Sequence, residues 1–269
     1  QLPSGGQFSR AVDTRGDIVQ VVEGRVLISP SDITSAAACE FAWLRGLDLR
    51  LGRIEQLPNE SDPLIARATD LGLLHEERQL RAYEAQFGID GVATIESPGG
   101  DLSALAEACT ETLTALRSCK PVVYQAAVQD RNLRGFADFI VLSSDGEYVV
   151  QDTKLARTAK VSALLQIAAY ADILASQGIP IANEGTLILG DGSAAVHDLG
   201  TVIPVYRARR ATLEDMLSRH LEMGDAVAWG DPSVSACGRC PVCVETVDTS
   251  RDVLLVAGMR RTQRDRLWA

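Results

Sequence analysis

Two segments in the middle of the chain, Arg134–Ser143 and Glu147–Leu155, alternate apolar and polar residues, and Ser144-Asp145-Gly146 joins them. Period-two alternation on both sides of an Asp-Gly turn is a strong short-range signal for an antiparallel hairpin. Loop length fixes the register, and one step of slip turns every side chain to the other face. A two-residue Asp-Gly turn sets Asp138 against Thr153, whereas a three-residue loop pairs Ser143 with Glu147 and sets Asp138 directly opposite Asp152. The sequence predicts the three-residue form, with Gly146 in the left-handed conformation. Asp152 and Lys154 then share one face of their strand. Two carboxylates facing each other raise each other's pKa unless a cation lies between them. The fitting occupant is a hard divalent cation, Mg2+ or Mn2+, with oxygen ligands. Lys154 lies one strand step beyond, close enough to orient or activate a water there.

Helices and short strands are expected around this hairpin. A strand is predicted at Arg25–Ser29, and Pro30-Ser31-Asp32 offers caps for a helix through Ala36–Leu47. A long helix is predicted from Asp62 to Phe87, with Pro63 in its first turn and Gly88 ending it, and another from Asp101 to about Ser118. Val122–Val128 reads as a strand, Lys160–Ser176 as an amphipathic helix, Gly185–Leu189 and Val202–Tyr206 as short strands, and Ala211–Trp229 as a helix. This order implies an α/β core with helical extensions at both ends.

The 269 residues are 46% hydrophobic and 23% charged, the balance of a folded chain. A net charge of −10 argues against a passive nucleic-acid coat. It leaves room for an enzyme that reaches phosphate through metal ions and a local arginine cluster. Lys120, Lys154 and Lys160 are the only lysines, so 23 of the 26 basic residues are arginine. Two groups are candidates for a DNA path: Arg207, Arg209 and Arg210, and the tail Arg260, Arg261, Arg264 and Arg266. Residues 251–269 hold five Arg against two Asp, a local charge of +3. No window approaches 18 uninterrupted apolar residues, since even Val161–Ala175 contains Gln166, Tyr170 and Asp172. No membrane span is expected. With no basic-then-apolar leader pattern at the N-terminus, a cytoplasmic location is expected.

Three of the six cysteines, Cys237, Cys240 and Cys243, form C-x-x-C-x-x-C. Three thiolates on one tight loop suit three corners of a cubane iron–sulfur cluster. Tetrahedral zinc more often uses two separate C-x-x-C knuckles. Either needs a fourth ligand. Cys109 and Cys119 read as small buried apolar residues on one helix. Cys39, also expected on a helix, is the favoured fourth ligand. It lies 198 residues from Cys237, so a shared metal centre would close a very long loop and staple the two ends.

With Gly-x-x-Asp at Gly135–Asp138 and Asp-x-Lys at Asp152–Lys154 across a hairpin, the chain resembles the PD-(D/E)xK nucleases. Gln166-Ile-Ala-Ala-Tyr170 matches the Q-x-x-x-Y motif of their RecB-like branch. His75, in Leu-Gly-Leu-Leu-His-Glu-Glu, falls where that branch places a helical metal-binding histidine. One early cysteine plus a C-terminal cysteine cluster resembles the iron-staple, AddB-like subgroup. The likeness runs from about Val26 to Cys243.

This resemblance implies a restriction-endonuclease-like α/β core whose helical N- and C-terminal extensions are joined by an iron–sulfur cluster. It implies a single RecB-like domain over 1–269, with the core at about 62–208, cluster-binding extensions at about 26–50 and 209–250, and the basic tail at 251–269. His75, Asp138, Asp152 and the backbone carbonyl of Thr153 would ligate Mn2+ or Mg2+. Lys154 would position the attacking water, and Gln166 and Tyr170 would contact DNA near the scissile phosphate. Cys39, Cys237, Cys240 and Cys243 would hold a 4Fe-4S cluster. The implied substrate is single-stranded DNA or DNA ends, and the implied setting is DNA repair. No G-x-x-x-x-G-K-[ST] motor motif occurs, so any unwinding falls to a helicase acting in trans or to fraying. Two other readings keep the fold, a non-catalytic DNA-end-binding module and a redox-sensing iron–sulfur regulator. The first is disfavoured because Asp138, Asp152 and Lys154 are all present. His197 and His220 are read as structural.

Overall fold

A computed structural model describes residues 19–55, 63–99 and 101–268. The predicted helix start at Asp62 and the N-terminal leader region lie outside these residues. Strands β1 (Gln20–Val22) and β2 (Arg25–Leu27) form a small ribbon, followed by α1 (Pro30–Ala38), α2 (Glu40–Arg50) and α3 (Pro63–Phe87). Next come β3 (Val92–Thr94), α4 (Leu102–Arg117), β4 (Val122–Asp130), β5 (Leu133–Leu142), β6 (Tyr148–Lys154) and α5 (Val161–Ser176). The chain continues through β7 (Ile181–Leu189), β8 (Ala194–Asp198), α6 (Leu199–Met223), α7 (Pro241–Thr249) and α8 (Arg261–Trp268). The fold is mixed α/β.

The main sheet has the order β3-β4-β5-β6-β7-β8. The β4–β5–β6 meander is antiparallel, β6 and β7 are parallel, and α5 is the crossover between them. Helix α5 packs on β4, β5, β6 and β7 on one side and on α1 and α6 on the other. That double burial explains why Leu165, Ile167, Ala168, Ala169, Ala171, Ile173 and Leu174 are all buried on a single helix. Helix α3 covers the opposite face, where Tyr83 packs with Val122 and Phe139.

The hairpin takes the predicted three-residue form. Ser143 N–H donates to Glu147 O at 2.8 Å, Gly146 has φ 82°, and pairing runs from Leu142↔Tyr148 to Phe139↔Gln151. A side chain at Gly146 would sit in a left-handed backbone at a cost of about 1–2 kcal/mol. Gly146→Ala is therefore expected to lower the unfolding midpoint by about 3–6 °C in a thermal melt.

Several predicted boundaries are corrected. The helix expected through Ala36–Leu47 is two helices broken at Cys39, whose φ of −164° and ψ of 101° are extended. Val202–Tyr206 is not a strand but lies within the early turns of α6. The Asp198 carboxylate caps that helix by accepting from Gly200 N–H at 2.8 Å, and tertiary packing on α5 overrides the β-branched Val202, Ile203 and Val205. The helix expected through Trp229 ends at Met223, because Gly224 takes φ 77° as a left-handed cap. Strands β3 and β8, of three and five residues, sit at the two sheet edges and are too short to announce themselves by periodicity.

Candidate active site

Beyond the Phe139↔Gln151 pair the two hairpin strands part. Residues Asp152, Thr153 and Lys154 pair instead with Leu187, Ile188 and Leu189 of β7. The Thr153 N–H, released from the hairpin ladder, donates to Asp138 Oδ2 at 2.8 Å, and Thr153 Oγ1 donates to the same oxygen at 2.8 Å. On the other side of β5, pairing skips from Tyr124↔Phe139 to Ala126↔Ala137. That gap leaves Gln125, at φ 53°, opposite Asp138. Asp138 thus projects from a position missing from both ladders, with one carboxylate oxygen held by Thr153.

Asp152 is 1% exposed, and Lys154 Nζ lies 2.6 Å from its Oδ2. Its Oδ1 is buried without a hydrogen-bond partner. Burial pushes the Asp152 carboxyl well above the usual carboxylate range and the Asp138 charge adds to this, while Lys154 opposes it. Two adjacent carboxylates with a buried acceptor lacking a donor are the donor set that a hard divalent cation takes.

Helix α3 braces this opening. Tyr83 Oη donates to Gln151 Oε1, and its ring meets Phe139 edge-on at 5.2 Å, so one side chain grips the last pair before the strands part. His75 is buried, and its Nε2 lies 3.2 Å from the carbonyl of Ile188, the residue paired with Thr153. A carbonyl can only accept, so Nε2 carries the proton and Nδ1 keeps its lone pair. Metal-ligating histidines commonly donate their other N–H in this manner. Glu76, which the sequence reading passed over, is also buried and accepts from Tyr124 Oη at 2.8 Å and from Gln125 Nε2. It holds the two residues beside the ladder gap. The available signal was an acid next to His75.

Gln166 and Tyr170 come together on α5, with Gln166 Nε2 donating to Tyr170 Oη at 3.1 Å. Burial pushes the Tyr170 hydroxyl pKa up and the charges of Asp152 and Asp138 add to this, so it stays protonated and able to donate. Gly135 is required beneath it: a Cβ there would sit 2.4 Å from Tyr170 Cε1. Gly135→Ala is expected to displace the ring, costing about 1–3 kcal/mol by overpacking and lowering the melting temperature.

The four predicted cysteines also converge, with Sγ atoms all within 4.8 Å of one another. Cys39 Sγ lies 3.6 Å from Cys243 Sγ and 3.9 Å from Cys240 Sγ. The helix break places Cys39 at the N-cap of α2, where its Sγ accepts from Ala42 N–H at 3.4 Å and from Cys237 N–H at 3.3 Å. Burial raises the Cys237 thiol pKa, but the N–H groups of Arg239 and Cys240 outweigh it and bring it to about 6. Backbone donors aimed at sulfur stabilise thiolate, the form that binds metal. Cys109 is half-buried on α4, its thiol pushed up to about 11 by burial. Cys119, expected to be buried, is exposed at φ 56° just past that helix.

A family model described as the PD-(D/E)XK nuclease superfamily matches residues 27–243. The chain belongs to that superfamily. A crystal structure of a proposed exonuclease from Eubacterium rectale aligns over 95% of this chain and 100% of its own, with a TM-score of 0.43 and 13% identity. No curated protein sequence matches the chain.

PD-(D/E)XK nucleases use divalent metals, and the hairpin acids are where this member has oxygen donors to offer one. Most of the arginines singled out for a DNA path are engaged elsewhere. Arg207 pairs with Asp172 at 2.6 Å, and the buried Arg210 pairs with Asp130 at 2.7 Å and Glu214 at 2.8 Å. Arg264 is buried against Asp252 at 2.7 Å and lies 5.2 Å over the Trp229 ring. These guanidiniums fasten helices. Arg209, Arg260, Arg261 and Arg266 stay on the surface. His220 is buried and bonded to Asp48 at 2.7 Å, in keeping with a structural role. His197 lies half-buried on the edge strand β8. No helix among the described residues is long and apolar enough to cross a membrane.

Proposed function

We propose that this nuclease is a divalent-metal-dependent deoxyribonuclease that hydrolyses phosphodiester bonds in single-stranded DNA or at DNA ends. The observation that carries this reading is the buried acid pair where the hairpin parts, with Lys154 against one acid and a protonated Tyr170 beside both. Asp138, Asp152, His75 Nδ1 and the Thr153 carbonyl would hold Mn2+ or Mg2+. The ion would polarise the phosphoryl oxygen and offset the charge that develops on it. Thr153 fixes the orientation of Asp138 through its N–H and hydroxyl. Lys154, about a third exposed, reaches solvent and positions the attacking water. Tyr170 donates its hydroxyl proton in a hydrogen bond to the phosphate, with Gln166 orienting it.

Cys39, Cys237, Cys240 and Cys243 would hold a 4Fe-4S cluster with a structural task. Three sulfurs on one loop and a fourth from a helix break favour a cubane over two zinc knuckles. A cytoplasmic DNA-repair setting, with a helicase supplying unwound strand, fits a chain in which no motor motif occurs.

The test compares end-labelled single strands and duplexes of one sequence with Mn2+ present, using the parent and Lys154→Ala. Cutting of the single strand at least about tenfold faster than the blunt duplex is expected, with the variant slowed about 100-fold or more. Equal rates on both substrates would remove the single-strand assignment, and an unimpaired variant would remove Lys154 from the chemistry.

A further inference from the structure

Along β5 three side chains alternate onto one face: Arg134, Phe136 and Asp138, each half-buried, with the buried Leu133, Gly135 and Ala137 on the other. Asp138 belongs to the hairpin opening described above. The other two have no part in it. The Arg134 guanidinium sits 5.9 Å over the Phe136 ring, so it leans along the strand in the direction of Asp138. Its Nε is buried without a hydrogen-bond partner, and no carboxylate among the described residues pairs with it. A half-buried guanidinium with no acid against it is a costly arrangement.

The acid whose charge acts most on Arg134 is Asp32 of α1, and that acid is already engaged. Asp32 Oδ1 accepts from Val19 N–H at 3.0 Å and Trp43 Nε1 at 2.8 Å. Its Oδ2 accepts from Ser29 N–H at 2.7 Å and Ser29 Oγ at 2.8 Å. Meanwhile the backbone around Arg134 is anchored, its N–H donating to Ile28 O at 2.9 Å. The cation is held in place, unneutralised, on the strand that carries a candidate metal ligand.

We propose that Arg134 and Phe136 form a nucleotide subsite flanking the scissile phosphate, in which Arg134 takes a neighbouring backbone phosphate and Phe136 carries the sugar or base of the same strand. This rests on the nuclease reading and extends it to substrate positioning. Four strand residues span about 13 Å between the Cα atoms of positions 134 and 138, and the lean over Phe136 shortens that. The subsite therefore serves the phosphate about one or two nucleotides from the bond cut. Aromatic faces accept any base and guanidinium accepts any phosphate, so the subsite favours an unpaired strand without reading its sequence.

The experiment uses the full chain with its cysteine site loaded, and the variants Arg134→Gln, Arg134→Lys and Phe136→Leu. Binding of a fluorescent twelve-nucleotide oligothymidylate is followed by anisotropy without added divalent metal, at several salt concentrations. Cleavage of the same oligonucleotide and of thymidine 5′-(p-nitrophenyl phosphate), which has one phosphodiester, is measured with Mn2+. Arg134→Gln is expected to weaken oligonucleotide binding about tenfold. It should also flatten the plot of log affinity against log salt by about 0.7. KM for the oligonucleotide should rise while kcat, and turnover of the small ester, stay within about twofold. Arg134→Lys should keep the salt slope, and Phe136→Leu should weaken binding while leaving it unchanged. Equal losses on both substrates, or an unaltered salt slope in Arg134→Gln, would overturn the subsite. If the parent cuts neither substrate the nuclease reading fails, and the anisotropy arm still decides whether Arg134 binds phosphate.

Discussion

Serine in place of Cys39 is expected to lower the unfolding midpoint by about 10 °C or more and to remove the metal centre held by the four cysteines. The reasoning starts from the chain between the ligands. Cys39 and Cys237 are 198 residues apart, and closing a loop that long removes conformational freedom from the unfolded chain worth about 5 kcal/mol. At about 2–4 °C per kcal/mol for a protein of this size, the loss is easily read in a melt. Contacts that do not depend on the sulfurs will survive. Asp48 bonds His220 at 2.7 Å and Val227 N–H at 2.8 Å, and Phe41 N–H donates to Ser235 O at 3.0 Å. The variant is therefore expected to keep the sheet while its C-terminal third loosens, which amide exchange would localise to residues beyond Met223. Cys119→Ser, on an exposed thiol outside the site, is the control and should melt with the parent.

The second large effect separates the two hairpin acids. Asp152→Asn is expected to cut the cleavage rate by at least about 1,000-fold, the loss of some 4 kcal/mol of transition-state stabilisation. Without divalent metal it should melt higher than the parent, because it removes a buried charge pressed against a second carboxylate. The sign with pH follows. Asp152 has a raised pKa in the folded protein, so its carboxyl favours folding most when protonated, and that contribution is lost as pH rises from the ordinary carboxylate range through the folded value. The stabilisation by Asn should be largest at alkaline pH and shrink on acidification. Asp138→Ala should also lose activity but melt lower, by about 1–3 kcal/mol, since it strands the Thr153 N–H and hydroxyl. Differential scanning fluorimetry at several pH values reads both. Asp152→Asn melting below the parent throughout would contradict the strain assigned to the acid pair.

Much of this site was legible because it is written locally. The Ser-Asp-Gly loop sets the hairpin register, and the register sets Asp138 against Asp152. Spacing of four on a helix brought Gln166 to Tyr170. Long capped helices such as α3 and α4 showed both ends. Long-range packing hid the rest. Nothing near Cys39 in sequence announces that its helix breaks, because the break is stabilised by the Cys237 N–H and the other sulfurs, far along the chain. Val202–Tyr206 has the composition of a strand, and only the Asp198 cap and the packing of α6 on α5 make it helical. The arginines of α6 and α8 counted as free charge in the sequence, whereas Asp172, Asp130 and Asp252 engage three of them in the fold. Tyr83 and Glu76 brace the hairpin opening from α3, and their partners Gln151 and Gln125 are between 49 and 68 positions away.

The most direct test of the account is a denaturing gel of end-labelled single-stranded DNA incubated with the cysteine-loaded protein, with and without Mn2+, beside Asp152→Asn under the same conditions. The account predicts cutting by the parent that begins on adding metal and stops with a chelator, and none by the variant. Intact DNA in every lane of a protein shown to bind Mn2+, or equal cutting by Asp152→Asn, would contradict it.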